Sequence, residues 1–249
     1  MNFANPATIC EAWYAVARSR EIREGRISSG VLGGNRIALW RESKGELRAL
    51  DARCAHLGAD LTQGDLVCGR LRCPFHHWEY DVDGRVATAP VSPACAASVR
   101  ERAVFRYPVA ERFGLVWVWN GPSPRCALPR FQEWNEAELR ATPLRSRLVP
   151  CHPHLLTSNG LDFQHWGPLH GLDADATELE ESFEEQRVSA KLGIPLGSAN
   201  PAERLLRWIS GERVHVRFTS WSGNVATVEG RLGPFPLLLL FAMTPDGSG

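Results

Sequence analysis

Cys54-Ala-His56-Leu-Gly58-Ala and, downstream of it, Cys73-Pro-Phe-His76-His77-Trp78 decide how this chain is read. Written as a pattern they are C-x-H-x16-C-x2-H, so each half offers one thiolate and one imidazole. A [2Fe–2S] cluster that carries two Cys on one iron and two His on the other can be gripped from both sides by two such loops. Two Cys and two His also make a tetrahedral zinc set. Zinc modules usually pair cysteine with cysteine and histidine with histidine along the sequence, whereas each half here is mixed. Gly58 permits positive φ and Pro74 fixes φ, which suits tight loops on both sides.

These residues resemble the Rieske non-haem iron oxygenases. Respiratory Rieske proteins add a cysteine to each loop and join the pair in a disulfide. Here those places hold Ala59 and Phe75, so the resemblance is to the oxygenase and ferredoxin branch. The residue after the second histidine is often glycine in that family, and here it is His77. The spacing favours His76 as the ligand and makes His77 a packing or hydrogen-bonding neighbour. A one-residue shift between them is the alternative.

With 249 residues, 44 % of them hydrophobic, and nine Trp, the chain can bury two modest cores or one large one. Lys plus Arg equals Asp plus Glu at 28 each. No overall basic field therefore points to nucleic acid or an acidic membrane surface. Seven cysteines, two of them assigned to the cluster, leave Cys10, Cys68, Cys95, Cys126 and Cys151 without a paired framework. That usage suits a reducing compartment, and a cytoplasmic location is expected. The first residues, Met1-Asn-Phe-Ala-Asn-Pro6, lack the basic and apolar regions of a signal peptide. The greasiest segment, Pro234 to Met243, is about half a membrane span in length and reads as a buried strand.

Short strands are expected at Trp13–Ala17, Ile37–Trp40 and Glu46–Leu50, with turns at Gly33-Gly34-Asn35 and Lys44-Gly45. Asp83-Gly84 marks a hairpin just beyond the second loop. Gly114 to Trp119 reads as the last buried strand before Asn120-Gly121-Pro122, and the prolines up to Pro129 read as a linker. A domain boundary is placed near residue 124. Beyond it, Phe131 to Leu139 reads as a short helix, and Asn200-Pro201 to Gly211 as a capped amphipathic one. Arg213 to Phe218 alternates as a strand with His215 on its polar face, and the acidic run Asp173 to Glu185 reads as a solvated face.

A second constellation is Asn159-Gly-Leu-Asp162-Phe-Gln-His165-Trp-Gly-Pro-Leu-His170. On a helix Asn159, Asp162 and His165 share one face. His170 falls off that face, but a break at Gly167-Pro168 can bring it round to share one metal with His165. A polar helix face with two histidines is weak chemistry by itself. In the family this pattern lies downstream of the Rieske domain, and its two histidines bind mononuclear Fe(II) with a later carboxylate. The resemblance therefore implies His165 and His170 as iron ligands, Asp162 as the acid bridging to a cluster histidine of a neighbouring subunit, and Asn159 beside the iron.

The fold expected is α+β: an all-β Rieske domain over residues 1–124, then a helix-grip-like catalytic domain of antiparallel sheet plus helices over 125–249, with an incomplete version of that fold as the alternative. The resemblance implies a terminal oxygenase component that passes electrons from a [2Fe–2S] cluster on Cys54, His56, Cys73 and His76 to a mononuclear Fe(II). It would hydroxylate, demethylate or desaturate a small apolar substrate with O2. A ferredoxin or flavin reductase would supply electrons, and a homotrimer would bring Asp162 to a neighbour's cluster. No nucleic acid and no membrane span are expected. The family's third iron ligand comes from further downstream than this chain runs. Asp246, Glu229 and Glu212 are possible substitutes, but none sits in a motif. A cluster-only electron carrier, or a shortened member without a complete triad, is the alternative.

Overall fold

The computed structural model describes residues 10–92, 95–144, 146–170, 175–184, 186–198 and 201–247. The chain divides into two compact units. The first comprises residues 1–125 together with Ala141–Val149 and Thr244–Gly249, and the second Cys126–Arg140 with Pro150–Met243.

The first unit is a set of small antiparallel sheets. Strands β1 (Trp13–Arg18), β9 (Val109–Arg112) and β10 (Leu115–Trp119) form one in the order β1-β10-β9. A second holds β2 (Ser28–Leu32), β3 (Asn35–Arg41) and β4 (Leu47–Asp51), and a third β5 (Asp65–Val67), β6 (Arg70–Arg72), β7 (Glu79–Tyr80) and β8 (Val86–Thr88). A single helical turn, α1 (Ala96–Arg100), follows β8. Alternation decides what is buried. Ile37 and Leu39 join one core with Tyr14, Val116 and Val118, while Ala38 and Trp40 point the other way into a second core with Leu50, Leu71, Trp78 and Tyr80. That second core also contains Cys54 and Cys73, so the two thiols are anchored in packed apolar surroundings.

The second unit is a five-stranded antiparallel meander, β11 (Asp175–Glu184), β12 (Arg187–Pro195), β13 (Arg213–Trp221), β14 (Val225–Leu232) and β15 (Phe235–Ala242), in chain order. Two helices accompany it, α2 (Pro153–Leu161) and α3 (Pro201–Ser210). The register puts Lys191, Arg217 and Glu229 in one row on the polar face. On the other face Leu192, Ile194, Val214 and Val216 form the core, against which Phe163 and Trp166 pack. Helix α2 lies over β13 and β14, and Gly160 makes that possible: a Cβ there would meet the Phe218 ring at 1.9 Å. Thr157 Oγ1 fastens the same helix by donating to the Gly223 carbonyl at 2.7 Å.

Three sequence expectations need correction. Phe131 to Leu139 is not a helix; only Glu136–Glu138 forms a 3-10 turn, and the residues before it run across the polar face of the sheet. There the buried Glu229 carboxylate accepts the Gln132 and Glu133 amides at 3.1 and 3.0 Å, the Gln132 side chain reaches Thr219 Oγ1 at 2.9 Å, and Arg231 stacks on Trp134 at 4.5 Å. Two backbone donors are taken there by a side chain far away in sequence. Pro234 to Met243 is a strand but not a buried one: β15 is the sheet's edge, with Phe235 63 % and Phe241 51 % exposed. Helix α2 ends at Leu161, so Asn159, Asp162 and His165 do not share one continuous helix. His215 does lie exposed on the polar face of β13. The acidic run is strand β11; Asp173 and the side chains of residues 175–180 lie outside the described residues, and Glu181 to Glu184 are exposed. Asn200, expected to cap α3, also lies outside them.

Candidate metal centres

The two ligand loops share a backbone frame. In the first, Cys54 N donates to Ala59 O at 2.9 Å and Gly58 N to Cys54 O at 2.8 Å; in the second, Cys73 N donates to Trp78 O at 2.8 Å and His77 N to Cys73 O at 3.2 Å. Each loop thus closes from its cysteine to the residues four and five positions on. The closing residue takes the left-handed conformation in both, Gly58 at φ 76° and His77 at φ 55°. Glycine adopts that region freely and other residues do so at a cost. Three other non-glycine residues at positive φ, Cys68, Phe113 and Ser222, each precede a glycine also at positive φ, in turns between neighbouring strands. His77 stands outside any such turn, and its side chain is exposed.

Like donors meet although each half of the motif is mixed. Cys54 and Cys73 are both buried in one core, close enough for the Cys73 sulfur to act on the Cys54 thiol, and the His56 and His76 rings stand edge to face with centroids 4.6 Å apart. Two thiols on one side and two imidazoles on the other form the donor set of a [2Fe–2S] cluster with one iron held by thiolates and the other by imidazoles. Within this set His56 Nδ1 is buried with no hydrogen-bond partner. A buried imidazole nitrogen without a protein partner suits a metal ligand, because leaving it unsatisfied is otherwise costly. Among the described residues no three His, Cys, Asp or Glu side chains gather around a single ion.

Side chains outside the motif hold the loops. Trp78, buried at 3 % exposure, stacks on the His56 ring at 4.6 Å and 5°. Tyr80 is wholly buried; its oxygen accepts the Ala55 amide at 3.0 Å and lies 3.0 Å from Cys54 Sγ. Burial, and then the Cys54 sulfur beside it, push the Tyr80 hydroxyl far above its ordinary range. It therefore keeps its proton; either group can donate in the contact with the thiol, and the hydroxyl is the donor once the sulfur is a thiolate. Burial also pushes the Cys54 thiol up, and the Tyr80 hydrogen bond counters that by favouring the thiolate. Sequence reading missed Tyr80 because it is 26 residues from Cys54, and only pairing of β7 with β6 returns it to the loop.

The second constellation is set by α2 and the two turns after it. Asn159 lies in the last turn of the helix. Asp162 closes it and starts the next, its carboxylate accepting Gln164 N at 3.3 Å for the 3-10 turn Phe163–His165. Trp166–His170 then forms a π-helical turn around Pro168, a local form frequent at functional sites. His165 is 14 % exposed with Nδ1 3.6 Å from Asp162 Oδ2, whereas Asp162 is 56 % exposed. Phe163 and Trp166 anchor this turn to the sheet core, with rings 5.2 Å apart. The side chain of His170 lies outside the described residues. Of the carboxylates considered as a third ligand, Glu229 is occupied by the two amides and Glu212 pairs with Arg207.

Residues 12–108 match the model of the Rieske [2Fe-2S] domain. Over 182 residues the chain is 31 % identical to aminopyrrolnitrin oxygenase PrnD of Pseudomonas fluorescens, an alignment covering 69 % of this chain and 49 % of that protein. It is 28 % identical to the oxygenase component of 3-ketosteroid-9-alpha-monooxygenase from Mycolicibacterium smegmatis, covering 67 % and 44 %. The chain thus spans about half the length of these curated relatives. Among solved structures, dicamba monooxygenase with non-heme iron and dicamba superimposes with a TM-score of 0.67 at 21 % identity, covering 96 % of this chain and 73 % of that one; this is a likeness of fold.

Proposed function

We propose, given that this chain carries a Rieske [2Fe–2S] domain and is homologous to oxygenase components, that it is an oxygenase component acting on a small apolar substrate with O2. Cys54, His56, Cys73 and His76 would hold the cluster, and His165 with His170 a mononuclear Fe(II). When bound, these groups supply one-electron transfer and oxygen activation respectively. The single observation that carries the reading is the meeting of the His56 and His76 rings across two loops of matching backbone frame whose cysteines share one buried core.

The chain's own residues would divide the work. Tyr80 protects the thiolate form of Cys54 and keeps the first loop shut. Trp78 fixes the plane of the His56 ring. Asp162, beside His165 and largely exposed, is free to meet a cluster histidine of a second copy, which gives a homotrimer its purpose. A ferredoxin or flavin reductase is the electron donor that fits. Among the described residues no helix is long and apolar enough to cross a membrane, and none of the seven cysteines is joined in a disulfide. A cytoplasmic location is the one that this cysteine usage suits.

The test is oxygen uptake by the iron-loaded protein with a chemical reductant, across a panel of small apolar compounds. Uptake that depends on one of them, and is lost in His165→Ala with the cluster intact, supports the reading. A cluster-only electron carrier is the second reading, favoured by the engagement of Glu229 and Glu212 in structural contacts. It predicts no Fe(II) uptake beyond the cluster and no effect of His165→Ala.

A further inference from the structure

Arg102 touches both ligand loops. Its Nη1 donates to the Ala55 carbonyl at 3.0 Å, and Ala55 lies between the ligands Cys54 and His56. Its Cζ stands 5.9 Å from the centroid of Trp78, whose ring stacks on His56 and whose carbonyl closes the second loop at Cys73. Guanidinium, indole and imidazole are thus linked in one series, His56 to Trp78 to Arg102. A planar fork can satisfy a carbonyl while lying against an aromatic ring, which a lysine ammonium cannot do equally well.

Among the described residues its charge is also unpaired, as are those of Arg53 and Arg100, while others in this unit are paired. Arg36, Arg41, Arg48, Arg70, Arg72 and Arg106 each face a carboxylate. Arg102 faces none among the described residues, so no neighbour cancels its field at the loops. With both imidazoles neutral, two ferric irons, two sulfides and two thiolates sum to zero. One electron taken from a reductant leaves the site at minus one, with no bond made or broken.

We propose that Arg102 is a positioning residue that clamps the two loops together and favours the reduced state of the site they form. This rests on the cluster reading above. It assigns a role to a residue outside the ligand motif, 26 positions beyond His76 by sequence and reached only through Ala55 and Trp78.

The experiment uses the full chain loaded with its cluster, as wild type, Arg102→Gln and Arg102→Lys. Iron and acid-labile sulfide are measured first, then the midpoint potential by dithionite titration at low and high salt. The expected result is a lower potential for Arg102→Gln at full cluster content, with the gap to wild type narrowing as salt screens an exposed charge. Arg102→Lys should fall between the two. Arg102→Gln fully loaded at the wild-type potential would overturn the proposal. Should Arg102→Gln fail to hold the cluster, Arg102→Lys decides: loaded and near the wild-type potential it supports the proposal, while empty or far from that potential it overturns it. A wild-type protein without labile sulfide would sink the cluster reading itself, an outcome distinct from any of these.

Discussion

His77 occupies in the second ligand loop the left-handed backbone position that Gly58 occupies in the first. Both amides close on the carbonyl of their own loop's cysteine. The equivalence settles why His76 faces His56 while His77 points to solvent: the closing position of the loop turns its side chain outward. It also places a residue with a Cβ where the chain would be relaxed with glycine.

His77→Gly should therefore stabilise the first unit by about 1 kcal/mol, since the left-handed conformation is relieved for the new residue. Cluster content should not change. Chemical denaturation followed by the visible absorption of the cluster checks both, and loss of the cluster would mean that His77 is a ligand after all. The converse change, Gly58→Ala, should destabilise by a similar amount although Arg53 leaves room for the methyl.

Tyr80→Phe removes a donor from Cys54 Sγ and an acceptor from the Ala55 amide without emptying the core. A hydrogen bond to a ligand sulfur favours the more negative state of the site, so its loss should lower the midpoint potential. The buried amide left behind should cost roughly 1–3 kcal/mol of stability. An unchanged potential would show that the hydroxyl does not donate to the sulfur.

Gly160→Ala drives a methyl into the Phe218 ring and should lift α2 off the sheet. Overpacking of this kind costs about 1–3 kcal/mol. Thermal melting of the second unit should move down while the cluster absorption of the first is retained. Any iron held through His165 should be lost in step, because α2 leads directly into the turn that carries it.

Glu229→Gln keeps the shape of the side chain but weakens two charge-assisted bonds to Gln132 and Glu133. Glu229→Ala, which leaves both amides without an acceptor, should cost about 3 kcal/mol or more. Neither should reduce Fe(II) binding per folded molecule. Stoichiometric loss of Fe(II) in a well-folded Glu229→Gln protein would restore this residue as the missing ligand.

Glu133 supplies a pH dependence. A hydrogen bond from Arg217, with Lys191 nearby, holds its carboxyl below the ordinary range despite partial burial. The folded state thus binds its proton less readily than the unfolded chain. The contribution is fully present above the unfolded carboxylate range and is lost as pH falls through the lower folded value. Being half exposed, the group should contribute no more than about 1 kcal/mol, less in salt. The stability gap between wild type and Glu133→Gln should be steady near neutrality and close below about pH 4.

The cluster loops were legible in the sequence because their chemistry is local: four candidate ligands, a glycine and a proline lie within two short stretches. The flanking strands were legible for the same reason, since turns such as Gly33-Gly34 and Asp83-Gly84 are written in adjacent residues. What escaped depends on distant partners. Gln132 and Glu133 looked helical because nothing nearby announces that Glu229 takes their amides. Pro234 to Met243 looked buried because hydropathy does not say whether a strand is central or an edge. The break in the second constellation was expected at Gly167-Pro168. It comes earlier, because Asp162 can cap a new turn and ends α2 in doing so. Tyr80 and Arg102 carry no motif at all, and only the folded loops bring them to Cys54 and Ala55.

The most direct test of the central claim is the iron, zinc and acid-labile sulfide content of the anaerobically purified chain. Two sulfides with at least two irons per chain, rising to about three after Fe(II) is added, is the result expected of paired loops and a second iron site. One zinc per chain with no labile sulfide would contradict it, and would make Cys54, His56, Cys73 and His76 a structural zinc site instead.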